Sequence, residues 1–120
     1  MKYRISETEF EVMEMVWKYQ EGIKQSTLLK IFLAEGKEWK RQTLNTFLIR
    51  LEEKGLLKRE KRIVKPVCTR EEYAHHQTQE VIDTMYGGRL SNLVLAFTQD
   101  GGLSDEEVGR LLRLIQQKKK

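Results

Sequence analysis

The stretch 40–67 reads KRQTLNTFLIRLEEKGLLKREKRIVKPV. Its first half carries Leu44, Phe47, Leu48 and Leu51 at spacings of three and four, the stripe of a helix with one buried side. The spacing predicts a helix over 40–54, stopped by Gly55. Opposite the stripe stand Gln42, Thr43, Thr46, Ile49 and Arg50, with one acidic neighbour, Glu53. A helix face that only meets water mixes Glu and Lys freely, whereas this one is a row of hydrogen-bonding groups. The second half holds two short extended runs, 56–59 and 63–67, around a basic turn at Glu60-Lys61-Arg62. Runs this short and this closely joined predict a small hairpin, with Pro66 at an edge or exit.

The same stretch concentrates the charge. Residues 40–65 hold nine Lys/Arg against three Asp/Glu, while the segments before and after it each carry a net of −1. Clustered positive charge is the footprint of a polyanion-binding face, although a solvated surface with chance clustering gives the same tally.

Upstream, Ser6 and Glu9 have capping-box spacing, and Ile5 and Phe10 sit where a hydrophobic staple would pack. Phe10, Met13, Val16 and Trp17 continue one apolar stripe that fades over 19–22. A second helix is predicted from about Ser26 through Leu28, Leu29, Phe32 and Leu33, with Gly36 as its stop. Helix, helix, helix, basic hairpin is the order of a winged helix-turn-helix. In that module the third helix lies in the major groove and the hairpin cations reach adjacent phosphates. The expected DNA-contacting set is therefore Gln42, Thr43, Thr46 and Arg50 on the outer face, Lys40 and Arg41 at its start, and Lys58, Arg59, Lys61 and Arg62 on the hairpin. Trp39 is expected to clamp the third helix by packing, and Trp17 to lie in the core.

Downstream, Thr69 and Glu72 form a second capping box, opening a helix through Tyr73, Val81, Ile82, Met85 and Tyr86. Gly87-Gly88 breaks it. Leu90, Leu93, Val94 and Phe97 mark a short amphipathic helix, and Gly101-Gly102 breaks again. Ser104 and Glu107 form a third capping box before Val108, Leu111, Leu112 and Ile115. Three short helices cannot bury their stripes on one another well, so the stripe Val81, Met85, Leu90, Leu93, Val94, Phe97, Val108, Leu111, Leu112 and Ile115 is expected to pair with a second copy of the chain. The alternative is folding back on the first domain. The expected organisation is mainly α with a small β-hairpin wing: residues 1–68 a winged-helix DNA-binding domain, residues 69–120 a helical dimerisation domain.

At this point the chain resembles the BlaI/MecI/CopY penicillinase-repressor family. The resemblance rests on Ile5-Ser6-Glu7-Thr8-Glu9-Phe10-Glu11-Val12-Met13 followed by Val16-Trp17. It continues in Trp39, Thr43-Leu44 and Leu48-Ile49-Arg50-Leu51-Glu52-Glu53-Lys54-Gly55-Leu56-Leu57, and then in Thr69-Arg70-Glu71-Glu72-Tyr73, Tyr86-Gly87-Gly88, Leu93-Val94-Leu95-Ala96-Phe97 and Leu103-Ser104-Asp105-Glu106-Glu107, in order. The resemblance implies a dimeric winged-helix repressor of a palindromic operator, controlling β-lactamase and related resistance genes or copper-homeostasis genes. It implies that Gln42, Thr43, Thr46 and Arg50 face DNA. In the antibiotic branch it implies induction by a membrane-bound sensor-protease system that triggers a cut before the phenylalanine of a Leu-Val-Leu-Asn-Phe stretch, here between Ala96 and Phe97. Two departures stand out: the wing is several residues shorter and lacks a glycine turn, and Ala96 replaces the asparagine.

Other classes fare worse on the residues present. Adjacent His75 and His76 point about 100° apart on a helix, so they do not converge on one metal. No His or Cys partner stands at ligand spacing, so no metal, cofactor or catalytic site is expected. The single cysteine, Cys68, allows no internal disulfide, fits a reducing cytoplasm, and reads as a small buried residue at the domain junction. The copper branch's cysteine cluster is absent, which argues against a repressor of metal-homeostasis genes by that mechanism. The opening Met1-Lys2-Tyr3-Arg4 lacks the apolar core of a secretion signal, and no apolar run is long enough to enter a membrane. The main rival remains a winged-helix adaptor that binds protein without sequence-specific DNA binding; steep weakening with salt separates the two.

Overall fold

Ser6 starts the first helix as its sequence spacing predicts. Its hydroxyl accepts from the Glu9 amide at 3.1 Å, and the Glu9 carboxylate accepts from the Ser6 amide at 2.8 Å. The computed structural model describes residues 4–120; Met1-Lys2-Tyr3, part of the segment read for a secretion signal, lies outside the described residues. Along the chain come α1 (Glu7–Val16), β1 (Ile23–Lys24), α2 (Gln25–Ala34), α3 (Arg41–Glu53), β2 (Leu57–Glu60), β3 (Ile63–Pro66), α4 (Arg70–Met85), α5 (Leu90–Phe97) and α6 (Asp105–Lys118). This is a mainly helical chain with a small antiparallel sheet of order β1-β3-β2, a winged helix-turn-helix followed by further helices.

The core forms where the apolar stripes converge. Val12, Met13 and Val16 of α1 meet Leu28 and Phe32 of α2, Leu44, Leu48 and Leu51 of α3, and Leu56, Leu57 and Val64 of the hairpin, all buried. Trp39 sits between Phe32 and Phe47, with ring centroids 4.8 and 5.3 Å away, and so fixes α3 against α2. Gly55 ends α3 in the left-handed region at φ 80°. There the Leu56 amide donates to Leu51 and the Gly55 amide to Glu52, both at 3.0 Å, which turns the chain directly into the wing.

Glu9 ties the start of α1 to the end of α3. It is 3% exposed, and both carboxylate oxygens accept from Lys54 Nζ, at 3.0 and 3.2 Å. Burial alone would push its pKa up. The Ser6 hydrogen bonds and the Lys54 ammonium outweigh burial and hold it below the ordinary 4.5.

The strand β1 has no counterpart in the sequence reading. Two residues supply no alternation, and Ile23 and Lys24 are extended because they pair with Val64 and Ile63 of β3. Gly22 makes that approach possible: it has φ 106°, and a Cβ there would stand 2.6 Å from Ile63 Cγ2.

Packing divides the chain into two compact units, one running to Thr78 and the other from Gln79 to Lys120. The expected boundary at residue 68 lies just before α4, which is capped by Thr69 and Glu72 as their spacing predicts. The first turns of α4 belong to the winged helix because Tyr73 is buried against Trp17 and Phe10, at centroid distances of 5.6 and 6.3 Å. Cys68 is buried in the same unit, and its carbonyl accepts from Trp17 Nε1 at 3.0 Å. Burial pushes the Cys68 thiol pKa up, and the Glu72 carboxylate adds to the shift. In the second unit the Ser104 hydroxyl caps α6 by accepting from the Glu107 amide at 3.1 Å. Ile82 is buried, while α5 and α6 contain no buried residue.

Candidate nucleic-acid interface

The helix α3 begins on basic residues. Helix N-termini favour acidic residues because of the unpaired amides and the macrodipole. The helices α1, α4 and α6 follow that rule in their first turns. By contrast, α3 opens on Lys40-Arg41, with no acidic residue in its first turn and no side-chain cap, as do α2 after Lys24 and α5 after Arg89. At the start of α3 the two cations stand where the macrodipole disfavours them, a local cost that a bound anion would relieve.

The outer face expected from the spacing is where the structure puts it. Arg41, Gln42, Thr46, Ile49 and Arg50 are exposed and Thr43 is half-buried. The Thr46 hydroxyl donates to the Gln42 carbonyl at 3.0 Å, so its lone pairs stay available to an incoming donor. Among the described residues Arg50 forms no ion pair. Ile49, left out of the sequence-derived contact set, is 38% exposed between Arg50 and Thr46. It puts an apolar surface on this outer face, the kind that suits a thymine methyl. Its signal was an isoleucine on a polar helix face.

Beside this face runs a cleft of about 1100 Å³ between α2, the start of α3 and the hairpin turn. Lys24, Lys30, Arg41, Arg59, Lys61 and Arg62 line it, and among the described residues no carboxylate does. Lys24 and Lys30 were not singled out from sequence, because they enter the site only when α2 folds alongside the wing.

The wing is a two-residue hairpin. Glu60 pairs with Ile63, leaving Lys61 and Arg62 as the loop, with φ 51° and 65°. Two successive positive φ values define the mirror-image turn whose twist matches a hairpin, a turn that prefers Asn-Gly. Holding two basic side chains there instead costs backbone strain, on the order of 1–2 kcal/mol per residue. The register also sets Lys58 directly opposite Lys65. Like charges so placed repel, another local cost that an anionic partner would relieve. Lys65 was missed because only the register reveals it.

Arg59 is placed differently from the other wing cations. Its Nε and Nη2 donate to Glu52 Oε1 at 3.2 and 3.1 Å, and its Nη1 donates to Asn45 Oδ1 at 2.8 Å and Gln25 Oε1 at 3.3 Å. The guanidinium thus joins the wing to α3 and to the first residue of α2.

Of the other groups considered from sequence, His75 and His76 are exposed on α4. Among the described residues no helix is long and apolar enough to cross a membrane. Of the apolar stripe, Met85, Leu90, Val94, Phe97, Val108, Leu112 and Ile115 are exposed, and Val81, Leu93 and Leu111 are half-buried. Ala96 and Phe97 end α5, both exposed, Phe97 at 82%.

Comparison with known proteins adds a family. The sequence family described as "Penicillinase repressor" matches residues 5–117. The chain is 29% identical to the "Penicillinase repressor" of Bacillus licheniformis over 120 residues, covering 97% of this chain and 92% of that one. It is 28% identical to the "Methicillin resistance regulatory protein MecI" of Staphylococcus aureus (strain N315), covering 97% and 96%.

Proposed function

Because this chain belongs to the penicillinase repressor family, a family of transcriptional repressors and not of enzymes, we propose that it represses resistance genes as a homodimer on a palindromic operator. The observation that carries this reading is the cleft lined by Lys24, Lys30, Arg41, Lys61 and Arg62, with no carboxylate among the described residues that line it, set beside the exposed hydrogen-bonding face of α3. Gln42, Thr43, Thr46, Ile49 and Arg50 read base edges in the major groove, and Lys40, Arg41, Lys58, Lys61 and Arg62 hold the phosphates. The names of the relatives, penicillinase repressor and methicillin resistance regulatory protein, support resistance genes as the target.

The second unit supports the dimer. Two helices with no buried residue are not stable in water on their own account, and their exposed stripes need a cover. A second copy covers like with like and presents two recognition helices one DNA turn apart. Within residues 69–120 the stripe from Val81 to Ile115 supplies this interface, and residues 1–68 supply the DNA contacts. The same reading puts the switch at Ala96-Phe97: a cut there, set off by a membrane sensor-protease, removes α6 and returns the chain to monomers. Blotting cells that carry such a sensor after β-lactam addition tests it, since derepression with the chain intact excludes the cut.

Selection of duplexes from a random pool tests the DNA reading. An inverted repeat with half-sites about 10 bp apart is expected. With five phosphate contacts per protomer, log affinity against log salt should fall with a slope of about −9. Enrichment of no sequence, with binding insensitive to salt, would favour the protein-binding adaptor.

A further inference from the structure

The network around Arg59 draws on three elements and the hairpin turn. Glu52 and Asn45 lie seven residues apart, on one side of α3. Gln25 is the first residue of α2, and Arg59 stands on β2. Glu52 accepts from Arg59 three times: from Nε, from Nη2, and at its second oxygen from the Arg59 amide at 3.3 Å. Asn45 Oδ1 accepts from Arg59 Nη1 at 2.8 Å and from Gln25 Nε2 at 3.4 Å. The Gln25 amide donates to the carbonyl of Arg62, within the turn itself, at 2.9 Å. The Arg59 and Glu52 side chains keep 21% and 38% of their exposure, so the pair is shielded from water on one side.

We propose that Arg59 is not a phosphate ligand but a positioning residue: with Glu52, Asn45 and Gln25 it latches the wing to the recognition helix and fixes the distance between the two parts of the DNA interface. A hairpin of two four-residue strands is marginal by itself. Its outer cations reach the backbone only if its angle to α3 is set, and the planar guanidinium sets it by donating from Nε and Nη2 to one Glu52 oxygen while the Arg59 amide donates to the other. The latch matters most when α3 and the wing must engage one site at once, as they do on the operator. On unrelated DNA the wing can settle independently. The inference rests on the DNA-binding reading above and says which wing cation does what.

The test uses the full chain and three variants, Arg59→Met, Glu52→Ala and Lys61→Ala, on a selected duplex and on a scrambled one across a salt series. The latch predicts that Arg59→Met lowers affinity for the selected duplex on the order of tenfold, leaves the scrambled duplex nearly unchanged, and keeps the parent's salt slope. Lys61→Ala, the phosphate control, weakens both duplexes and reduces the slope by about one. Glu52→Ala separates the two mechanisms further. It removes a negative charge and frees a guanidinium beside the DNA, so a phosphate-binding Arg59 predicts tighter binding, while the latch predicts weaker, less selective binding. Arg59→Met behaving like Lys61→Ala, or Glu52→Ala binding tighter, overturns the proposal. Should Arg59→Met fail to fold by circular dichroism, Glu52→Ala decides alone. A parent chain that binds neither duplex contradicts the DNA reading itself, which is a separate and recognisable result.

Discussion

Arg50 is exposed on the face of α3 turned away from Leu44, Leu48 and Leu51, and it makes no structural ion pair among the described residues. Its removal should therefore cost recognition and not folding. One arginine-to-guanine pair contributes roughly 1–3 kcal/mol of discrimination. Arg50→Ala should weaken operator binding about tenfold to a hundredfold by fluorescence anisotropy, with an unchanged melting temperature. Glu9 is the opposite case, buried and structural. Its folded pKa lies below its unfolded value, so its contribution is complete above about pH 4.5 and is lost as pH falls through the folded pKa. Glu9→Gln should lower stability by about 1.5–3 kcal/mol at neutral pH, the scale of a charge-assisted hydrogen bond. The gap between variant and parent in melting temperature should narrow on acidification below about pH 4.5. A gap that stays constant with pH would show that Glu9 acts by shape and not by charge.

At the scale of elements, the wing turn carries the clearest conflict between stability and the proposed DNA contact. Lys61 and Arg62 occupy positive-φ positions that Asn and Gly adopt with little strain. The double change Lys61→Asn, Arg62→Gly should stabilise the chain by about 1–2 kcal/mol, several degrees in melting temperature, and yet weaken binding to every DNA sequence. Stabilisation with undiminished binding would remove the turn from the interface. Much of this level is legible in the sequence alone. The α3 stripe, the outer face, the hairpin and the capping boxes at Ser6 and Thr69 are local patterns, written in spacings of three, four or two residues. The elements that escape such a reading are those whose cause is tertiary. The strand β1 exists because β3 lies beside it. Lys65 joins the charged wing through register. Arg59 reads as one more basic residue because Gln25 and Asn45, its partners, stand 34 and 14 positions away in sequence.

At the scale of the whole molecule, the winged helix and the second unit make different demands. The first closes its own core, and that core includes Tyr73, so a chain ended at Thr78 keeps it whole, whereas one ended at residue 68 would not. The 1–78 chain should fold and remain monomeric by sedimentation. It should bind the operator more weakly by a factor on the order of 10² to 10⁴, because the second half-site contact is no longer intramolecular. The apolar stripes of α5 and α6 are readable from sequence, but what covers them is not, since one chain does not contain its own partner. The central claim is a dimer that reads two half-sites through α3. The most direct test is sedimentation velocity of the full chain titrated onto a labelled inverted-repeat duplex and onto the same duplex with one half-site scrambled. Two protomers should bind the intact repeat in a single cooperative step, with binding to the scrambled duplex much weaker. One protomer per intact repeat, or equal affinity for both duplexes, would contradict it.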